Sequence, residues 1–436
     1  QFLDIAHPVD LVSQFSRAGN RQQAGFAIAV PTLVWLQYGY QSWRFYALPG
    51  EEITARLLPE GPERRLVFDG SRRNDLNFFS ESDEFQKRTE LRAPSYAKDS
   101  SLTSFKRQVD DYYHRNEHFL KQYHARAALS PAFYRFVSEM LRYERIFLLY
   151  QPFRTAATRP AAVPPGYRQA LDSLPVNRDA LLGNHSYRDA LRMKYVLARS
   201  ERKDIQRDFD GLLGLIAKET KGTTREFLGA TLIGLYLKNL NGSPSESFTK
   251  AFDQALAQTK DAEYRKYLED LHDEFTVLNR QLPAAVLDST FVLHAATGAK
   301  SSLRQALRSF NNTSLYLDFW ASWCAPCRED IRNSAGSRRL LGQKNVVIVS
   351  LSIDKSDAPW RKAIAEDSVP GHHFLLVDGT RSGLAKLLRV NYIPRYVLLD
   401  GGHKVTNLYG PRLHDNSLAA LEQLLNLRKP QVFTYE

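Results

Sequence analysis

The residues with the clearest chemical potential are Cys324 and Cys327, the only two cysteines in a chain of 436 residues. A cysteine pair with this spacing is typical of a thiol–disulfide redox site when a strand delivers it to the start of a helix. A strand-like run, 314–321, precedes the pair, and a polar, helix-forming run, 328–341, follows it. We therefore expect Cys324 to lie at or just before the first turn of a helix.

This position has a chemical consequence for the thiols. The thiolate is the attacking species, and a free cysteine with a pKa of about 8.5 is mostly protonated at neutral pH. Unpaired N–H groups at a helix N-terminus stabilise an anion and lower the pKa of such a thiol. Pro326 falls in the first turn, where a missing N–H costs little. The pattern predicts Cys324 as the nucleophile and Cys327 as the thiol that resolves the mixed disulfide.

Other interpretations of the pair are a structural disulfide, a zinc site and two inert buried thiols. A structural bridge rarely closes so short a loop as the only bridge in a chain. Zinc needs four ligands and the pair supplies two. The nearest additional ligands, His372 and His373, are adjacent in a predicted strand and point to opposite faces. Inert thiols would not need the flanking Trp323, Pro326 or the helix start, so the redox interpretation is favoured and no metal is expected.

The segment from Asp318 to Cys327, DFWASWCAPC, resembles the active-site segment of a known family. The family is the TlpA/ResA-like group of bacterial extracytoplasmic thiol–disulfide oxidoreductases, which have the thioredoxin fold. Residues 390–397, VNYIPRYV, resemble the segment that carries the family's cis-proline. A hairpin predicted over 289–293 and 301–307 resembles the N-terminal extension of the group.

The resemblance implies roles for four further residues. Pro394 would be cis and next to the disulfide, which leaves the backbone of Ile393 free to pair with an extended substrate, and Trp323 would form one wall of the site. Asp318 would be the family's buried acid, with a pKa raised by desolvation. It would accept the proton of Cys327 when that thiol attacks the mixed disulfide. No tightly bound cofactor is implied, because the redox group is the cysteine pair itself.

The chain departs from the family pattern at three places. Arg332 replaces the proline that many thioredoxins carry five residues after the second cysteine, so we expect a helix without the usual kink. Ser350 stands where many thioredoxins place a lysine beside the buried acid, which predicts that Asp318 lacks a partner charge. The Ala-Pro pair between the cysteines differs from Gly-Pro at a position that helps to set the reduction potential.

The rest of the chain predicts a multidomain protein. Residues 1–78 predict a β-rich N-terminal domain, because β-branched and aromatic runs alternate with Gly and Pro. Residues 79–282 predict an all-α middle region. Residues 283–436 alternate strands and helices, and the apolar run 345–353 predicts a buried central strand. This last pattern agrees with an α/β thioredoxin fold, a central mixed sheet flanked by helices.

Local signals support the first two domains. The segments 46–52 and 67–70 resemble the small β-domain that precedes thioredoxin modules in many bacterial envelope proteins. Ser130 and Pro131 predict the start of an amphipathic helix. The N-terminal strands are predicted over 26–30, 32–38, 42–48, 52–58 and 65–68.

Composition restricts the remaining possibilities. The hydrophobic fraction of 43% and the charged fraction of 25% are those of a globular protein. The net charge of +11 is spread along the chain, and no motif supports nucleic-acid binding. The apolar stretch 24–40 is interrupted by Pro31 and is too short to span a bilayer. Because the chain starts at Gln1 and shows no signal peptide, we expect a processed or truncated form.

These features predict an enzyme, a thiol–disulfide oxidoreductase of the periplasm or cell envelope. Its expected partners are a disulfide-containing protein substrate, which it reduces, and an upstream dithiol donor that regenerates it, with envelope association left open. A disulfide oxidase or isomerase is the first alternative, and the reduction potential separates it from a reductase. The second alternative is a binding protein in which the thioredoxin module serves for docking or sensing.

Overall fold

The computed structural model describes residues 16–18, 21–23, 28, 31–38, 41–60, 63–96, 101–153, 162–197, 205–238, 240, 244–278 and 280–426. The chain divides into two compact units. The first comprises residues 1–232 and 259–264, and the second comprises residues 233–258 and 265–436. The division into domains 1–78, 79–282 and 283–436 stays a prediction.

The N-terminal part of the first unit contains three antiparallel pairs of short strands. They are β1 Ser16–Ala18 with β2 Arg21–Gln23, β3 Thr32–Tyr38 with β4 Gln41–Ala47, and β5 Ala55–Glu60 with β6 Glu63–Phe68. Phe45, Leu66 and Phe68 from these strands pack with Leu76 in one apolar cluster. Of the strand predicted over 26–30, only Ile28 is among the described residues, and it has no regular structure. The prediction of a β-rich domain is supported by these short strands alone.

Helices follow the strands throughout the described middle of the chain. The bounds are α1 Arg73–Arg88, α2 Leu102–Ala127, α3 Pro131–Leu149, α4 Pro165–Asp172, α5 His185–Arg192, α6 Ile205–Glu219, α7 Gly222–Lys238, α8 Glu246–Gln258 and α9 Ala262–Phe275. The helix start predicted at Ser130 and Pro131 is confirmed, because the Ser130 side chain accepts a hydrogen bond from the N–H of Phe133. No helix in the described part of the chain is long and apolar enough to cross a membrane.

The second unit is built on a seven-stranded mixed sheet. Its strands are β7 Phe291–His294, β8 Lys300–Ser302, β9 Ser314–Trp320, β10 Val346–Ser352, β11 His372–Leu376, β12 Arg395–Leu399 and β13 Val405–Asn407. The order across the sheet is β13-β12-β9-β10-β11-β7-β8, in which β9, β10 and β11 are parallel and the other neighbours are antiparallel. The strand predicted over 345–353 is therefore confirmed as the central strand β10.

Helices cover both faces of this sheet, as predicted for the C-terminal region. The helices are α10 Ala284–Ser289, α11 Leu303–Leu307, α12 Ala325–Arg332, α13 Ala335–Gln343, α14 Asp357–Glu366, α15 Gly383–Leu387 and α16 Leu418–Asn426. On one face Leu317 packs with Leu384 of α15, and on the other face Tyr316 packs with Leu341 of α13 and Leu421 of α16. Successive residues of β9 thus contribute to two separate cores.

One predicted strand is a helix in the structure. The hairpin predicted over 289–293 and 301–307 is formed by β7 and β8, but β8 ends at Ser302 and residues 303–307 are α11. Ser302 and Gln305 form a capping box, in which each side chain bonds to the backbone N–H of the other residue. This reciprocal cap satisfies N–H groups that a strand edge would leave unpaired, so the chain turns into a helix there.

Candidate active site

The disulfide lies where β9 passes into α12. Cys324 is the N-cap residue of α12, and Pro326 is in its first turn. Cys324 and Cys327 form a disulfide, and the backbone N–H of Cys327 donates to Cys324 Sγ at 3.2 Å. The two cysteines are 4% and 1% exposed, whereas the neighbouring Trp323 is 67% exposed. In the reduced protein this N–H group and the helix N-terminus can stabilise a thiolate at Cys324, so the helix start has the geometry that the redox interpretation requires.

A buried aspartate fixes the turn that leads into the cysteines. Asp354, which follows β10, accepts hydrogen bonds from the backbone N–H of Ser322 at 2.9 Å and from the Ser322 hydroxyl at 2.7 Å. The Ser352 hydroxyl donates to the same carboxylate at 2.7 Å. Because three donors satisfy a carboxylate that is only 4% exposed, the turn has one preferred position beside β10. Asp354 is not among the predicted site residues, since its partner Ser322 lies 32 positions away in sequence.

The helix that carries Cys327 is also held by ion pairs. Arg328 forms a bidentate ion pair with Asp367, at 2.6 and 3.0 Å, and it also contacts Glu366 at 2.9 Å. Arg332 contacts the same Asp367 carboxylate at 3.1 Å. The hydrogen bonds from Arg328 hold the pKa of Asp367 below its usual range. These contacts join α12 to the end of α14.

The expectation of an unkinked helix after the cysteines is wrong. The run predicted as one helix over 328–341 is two helices, because α12 ends at Arg332 and α13 begins at Ala335. The Ser334 hydroxyl donates to the carbonyl of Ile331 at 2.6 Å. Asp415 accepts the backbone N–H of Ser337 at 2.9 Å, so a distant carboxylate caps α13. The break is therefore made without proline.

Asp318 lies in β9 and is 1% exposed, as predicted for a buried acid. Burial raises the pKa of Asp318 to about 6, against the opposing charge of Arg338 and a hydrogen bond from Ser350. The Ser350 hydroxyl donates to Asp318 Oδ2 at 3.2 Å, because β9 and β10 pair these residues in register. Asp318 makes no ion pair within the described residues, but the charge of the Arg338 guanidinium of α13, which the sequence did not indicate, lowers its pKa.

A second buried carboxylate, Asp330, lies three residues after Cys327 and is 0% exposed. The Tyr396 hydroxyl donates to Asp330 at 2.9 Å, and Arg412 Nε donates to it at 2.8 Å. Arg412 also donates to the carbonyl of Pro326, at 3.3 Å. Asp330 is not among the predicted site residues, although an acid one turn after a buried cysteine shares its helix face.

The predicted cis-proline segment lies beside the cysteines. The Ile393–Pro394 peptide bond is cis, and the strand that follows, β12, pairs with β9. The Ile393 side chain packs against the cluster that contains Cys324 and Cys327. The structure thus brings Ile393 to the redox pair, while the substrate-binding roles of Trp323, Ile393 and Pro394 stay predictions.

Within the described ranges, no group of three or more His, Cys, Asp and Glu residues is arranged to hold a metal ion. The two histidines considered as additional ligands differ in their surroundings. His372 is exposed, whereas His373 is buried and its Nε2 lies 3.0 Å from the carbonyl oxygen of Val369. Burial lowers the pKa of His373 to about 4.

Comparison with known proteins gives a family match for the C-terminal region. Residues 312–405 match the family model described as thioredoxin-like. No curated protein matches the chain. The Cys324–Cys327 disulfide lies inside this matched region, so the cysteine pair belongs to the thioredoxin-like part of the chain.

Solved structures of bacterial oxidoreductases are similar to the same region. The thioredoxin domain of a thiol-disulfide oxidoreductase from Bacteroides vulgatus is 21% identical, over 34% of this chain and 100% of that chain, with a TM-score of 0.28. A thiol-disulfide oxidoreductase from Bacteroides fragilis is 28% identical, over 26% of this chain and 82% of that chain, with a TM-score of 0.23. A secreted Mycobacterium tuberculosis disulfide oxidoreductase homologous to E. coli DsbE is 15% identical, over 33% and 98%, with a TM-score of 0.26.

Proposed function

We propose that this protein reduces disulfides of extracytoplasmic proteins through the dithiol form of Cys324 and Cys327. The observation that carries the proposal is the position of Cys324 at the N-cap of α12, with the N–H of Cys327 donating to its sulfur. The same N–H group and the helix dipole stabilise a thiolate at Cys324 in the reduced protein. Cys327 is more deeply buried and is the resolving thiol.

The reaction proceeds in two exchanges. The Cys324 thiolate attacks one sulfur of the substrate disulfide, forms a mixed disulfide and releases the other substrate sulfur as a thiolate. Cys327 then gives its proton to Asp318 and attacks the Cys324 sulfur, and the second substrate thiolate leaves. The substrate gains two electrons and the protein becomes the disulfide form. A carboxyl group with a pKa of about 6 is suited to accept a proton near neutral pH.

The substrate approaches the site over Trp323 and the cis-proline segment. Trp323 offers an exposed aromatic surface next to Cys324, and Tyr392, 46% exposed, precedes Ile393. The backbone of Ile393 pairs with an extended substrate segment. We place the protein in the periplasm or at the cell envelope because of its resemblance to an extracytoplasmic family.

The reduction potential of the cysteine pair tests this proposal. The oxidised fraction is measured by thiol trapping and mass spectrometry in dithiothreitol buffers of defined ratio. A potential of about −270 mV supports a reductase that an upstream dithiol donor regenerates. A potential near about −120 mV identifies an oxidant and overturns the proposed direction. If no reversible couple is found and a Cys324→Ser, Cys327→Ser variant keeps its partners, the protein is a binding protein instead.

A further inference from the structure

A row of buried polar side chains crosses the sheet of the second unit. Ser350 of β10 is in register with Asp318 of β9 on one side and with His373 of β11 on the other. Tyr396 of β12 is in register with Asp318. Residues in lateral register share a face of the sheet, so the four side chains lie next to one another. Each of them is at most 8% exposed.

Arg338 of α13 is the cation that faces this row. Its Nε donates to Ser334 Oγ at 2.8 Å and its Nη1 donates to the carbonyl of Pro370 at 3.1 Å. Its charge acts on Asp318, and also on Tyr396 and His373 after the larger effect of their burial. A single guanidinium therefore lies within electrostatic range of three members of the row.

Two polar atoms at this place are left without hydrogen bonds inside the described part of the chain. Arg338 Nη2 and Asp318 Oδ1 are both buried and have no partner there. The remaining bonds of Arg338 suffice to fix α13 to the segment at Pro370. An arginine with a purely structural role would not need a buried N–H group without a partner, here at Nη2, in the same region as the unpaired Oδ1 of Asp318.

The other charged groups around Asp318 do not supply this positive charge. Asp330 of α12 is an acid, and it is paired with Arg412 at 2.6 Å. His373 is neutral at pH 7, because burial lowers its pKa to about 4. The other polar groups around Asp318 are the hydroxyls of Tyr316, Ser350 and Tyr396, which carry no positive charge. Arg338 is thus the cation of this set that makes no ion pair with another carboxylate in the described part of the chain.

We propose that Arg338 is a positioning residue that holds Asp318 as a carboxylate until it takes the proton of Cys327. The inference rests on the proposed function and deepens it. The S–H bond of Cys327 breaks, the proton passes to Asp318, and the sulfur electron pair attacks the Cys324 sulfur. The guanidinium keeps its own protons throughout. Arg338 thereby supplies, from a helix, the charge that Ser350 cannot supply from the neighbouring strand.

The test is the pH dependence of the second exchange alone. Reduced protein is mixed with 5,5′-dithiobis(2-nitrobenzoate) in a stopped-flow instrument. The attack of Cys324 releases one thionitrobenzoate, and the attack of Cys327 on the mixed disulfide releases the second. Because thionitrobenzoate is a good leaving group, the pH midpoint of the second release reports the ionisation of the base. In the wild type we expect this midpoint near the Asp318 pKa of about 6.

In Arg338→Gln we expect the midpoint of the second release to move up by at least about one pH unit. At pH 6 this slows the second release by about fivefold or more, with the first release unchanged. Arg338→Lys, which keeps the charge, should bring the midpoint most of the way back to its wild-type value. Arg339→Gln is the matched control, because the neighbouring Arg339 is exposed and should leave both releases unchanged.

Three outcomes would overturn the inference. The first is an unchanged midpoint in Arg338→Gln, which would leave Arg338 a structural link. The second is an equal shift in Arg338→Gln when Asp318 is already replaced by Asn, since the effect must pass through Asp318. If the Gln variant does not fold, Arg338→Met, which keeps the apolar stem, is measured in the same way. The third, a wild-type protein without a second release, would overturn the proposed function as well.

Discussion

The two cysteines differ in position, and this difference predicts different behaviour when each is replaced. Cys324 caps α12, whereas Cys327 lies inside the first turn and is 1% exposed. In Cys327→Ser the mixed disulfide cannot be resolved, so we expect a covalent complex with substrate that non-reducing electrophoresis and mass spectrometry detect. Cys324→Ser should form little of this complex. Equal trapping by the two variants would contradict the assignment of nucleophile and resolving thiol.

Asp318 is expected to favour catalysis and to oppose stability. Burial raises its pKa to about 6, compared with about 3.9 in an unfolded chain. The folded state therefore binds the proton more tightly, and the stability falls as the pH rises from about 4 to about 6. In Asp318→Asn we expect the free energy of unfolding at pH 7 to rise by about 1–3 kcal/mol. The second thiol release should slow by about a hundredfold.

Urea unfolding of both proteins at pH 7 and at pH 4 separates this effect from a change in packing. At pH 4 the wild-type Asp318 is itself largely protonated, so the gain in unfolding free energy should be small. A gain of the same size at both pH values would show that the carboxylate charge is not its cause.

At the scale of single elements, helix α12 is held in place by ion pairs to the residues at the end of α14. Arg328 and Arg332 share the carboxylate of Asp367, whose side chain is 5% exposed. In Asp367→Asn we expect a loss of about 1–2 kcal/mol in the free energy of unfolding, because two charge-assisted contacts weaken together. Faster amide hydrogen exchange in α12 should accompany it.

The neighbouring Glu366 provides the control for this prediction. Glu366 contacts the same Arg328 but its side chain is 46% exposed, and exposed ion pairs contribute about 1 kcal/mol or less. Glu366→Gln should therefore change the unfolding free energy and the exchange in α12 much less. Losses of equal size in both variants would mean that burial of Asp367 does not strengthen its ion pairs with Arg328 and Arg332.

The elements that the sequence predicts correctly are those with local signals. Two examples are the apolar run that becomes β10 and the Ser-Pro start of α3, each of which is predicted from adjacent residues alone. The break between α12 and α13 depends on Asp415, which is 78 positions from Ser337. Ser302 and Gln305 form a local capping-box signal for α11, whereas the hairpin prediction over the same residues depends on the resemblance alone.

The site shows the same division between local and distant partners. Cys324, Cys327 and Asp318 lie within ten residues of sequence, so a single segment suffices to predict them together. Asp330 and Arg412 meet across 82 positions, and the charge of Arg338 acts on Asp318 of β9 from helix α13. Such pairs follow from how helices pack on the sheet, which no short pattern specifies.

At the scale of the whole molecule, the second unit extends beyond the thioredoxin-like region. Residues 265–275 of α9 belong to this unit, and they contact the segments on both sides of β12. Arg389 contacts Asp270 at 2.7 Å, and the Tyr409 hydroxyl donates to Glu274. Helical residues before the family match are therefore part of the structure that holds the cis-proline segment.

Among the charged groups around Tyr409, Lys238 at the end of α7 is expected to have the largest effect on the free energy of unfolding. It lies 5.2 Å from the centre of the Tyr409 ring, whose other neighbour is the guanidinium of Arg395 at 3.8 Å. Burial lowers the pKa of Lys238 to about 7; the charge of Arg395 adds to this effect and Glu274 opposes it. In an unfolded chain the pKa of lysine is about 10.4.

Between pH 7 and pH 10 the unfolded state therefore binds more protons than the folded state, and stability rises with pH across this window. Lys238→Met keeps the apolar stem and removes the titrating group. We expect it to raise the free energy of unfolding at pH 7 by about 1–3 kcal/mol and to flatten the rise between pH 7 and pH 10. Urea unfolding at several pH values measures both, with Lys250→Met on the exposed side of α8 as the control. If the variant and the wild type gain stability equally with pH, the protonation of Lys238 is not linked to folding.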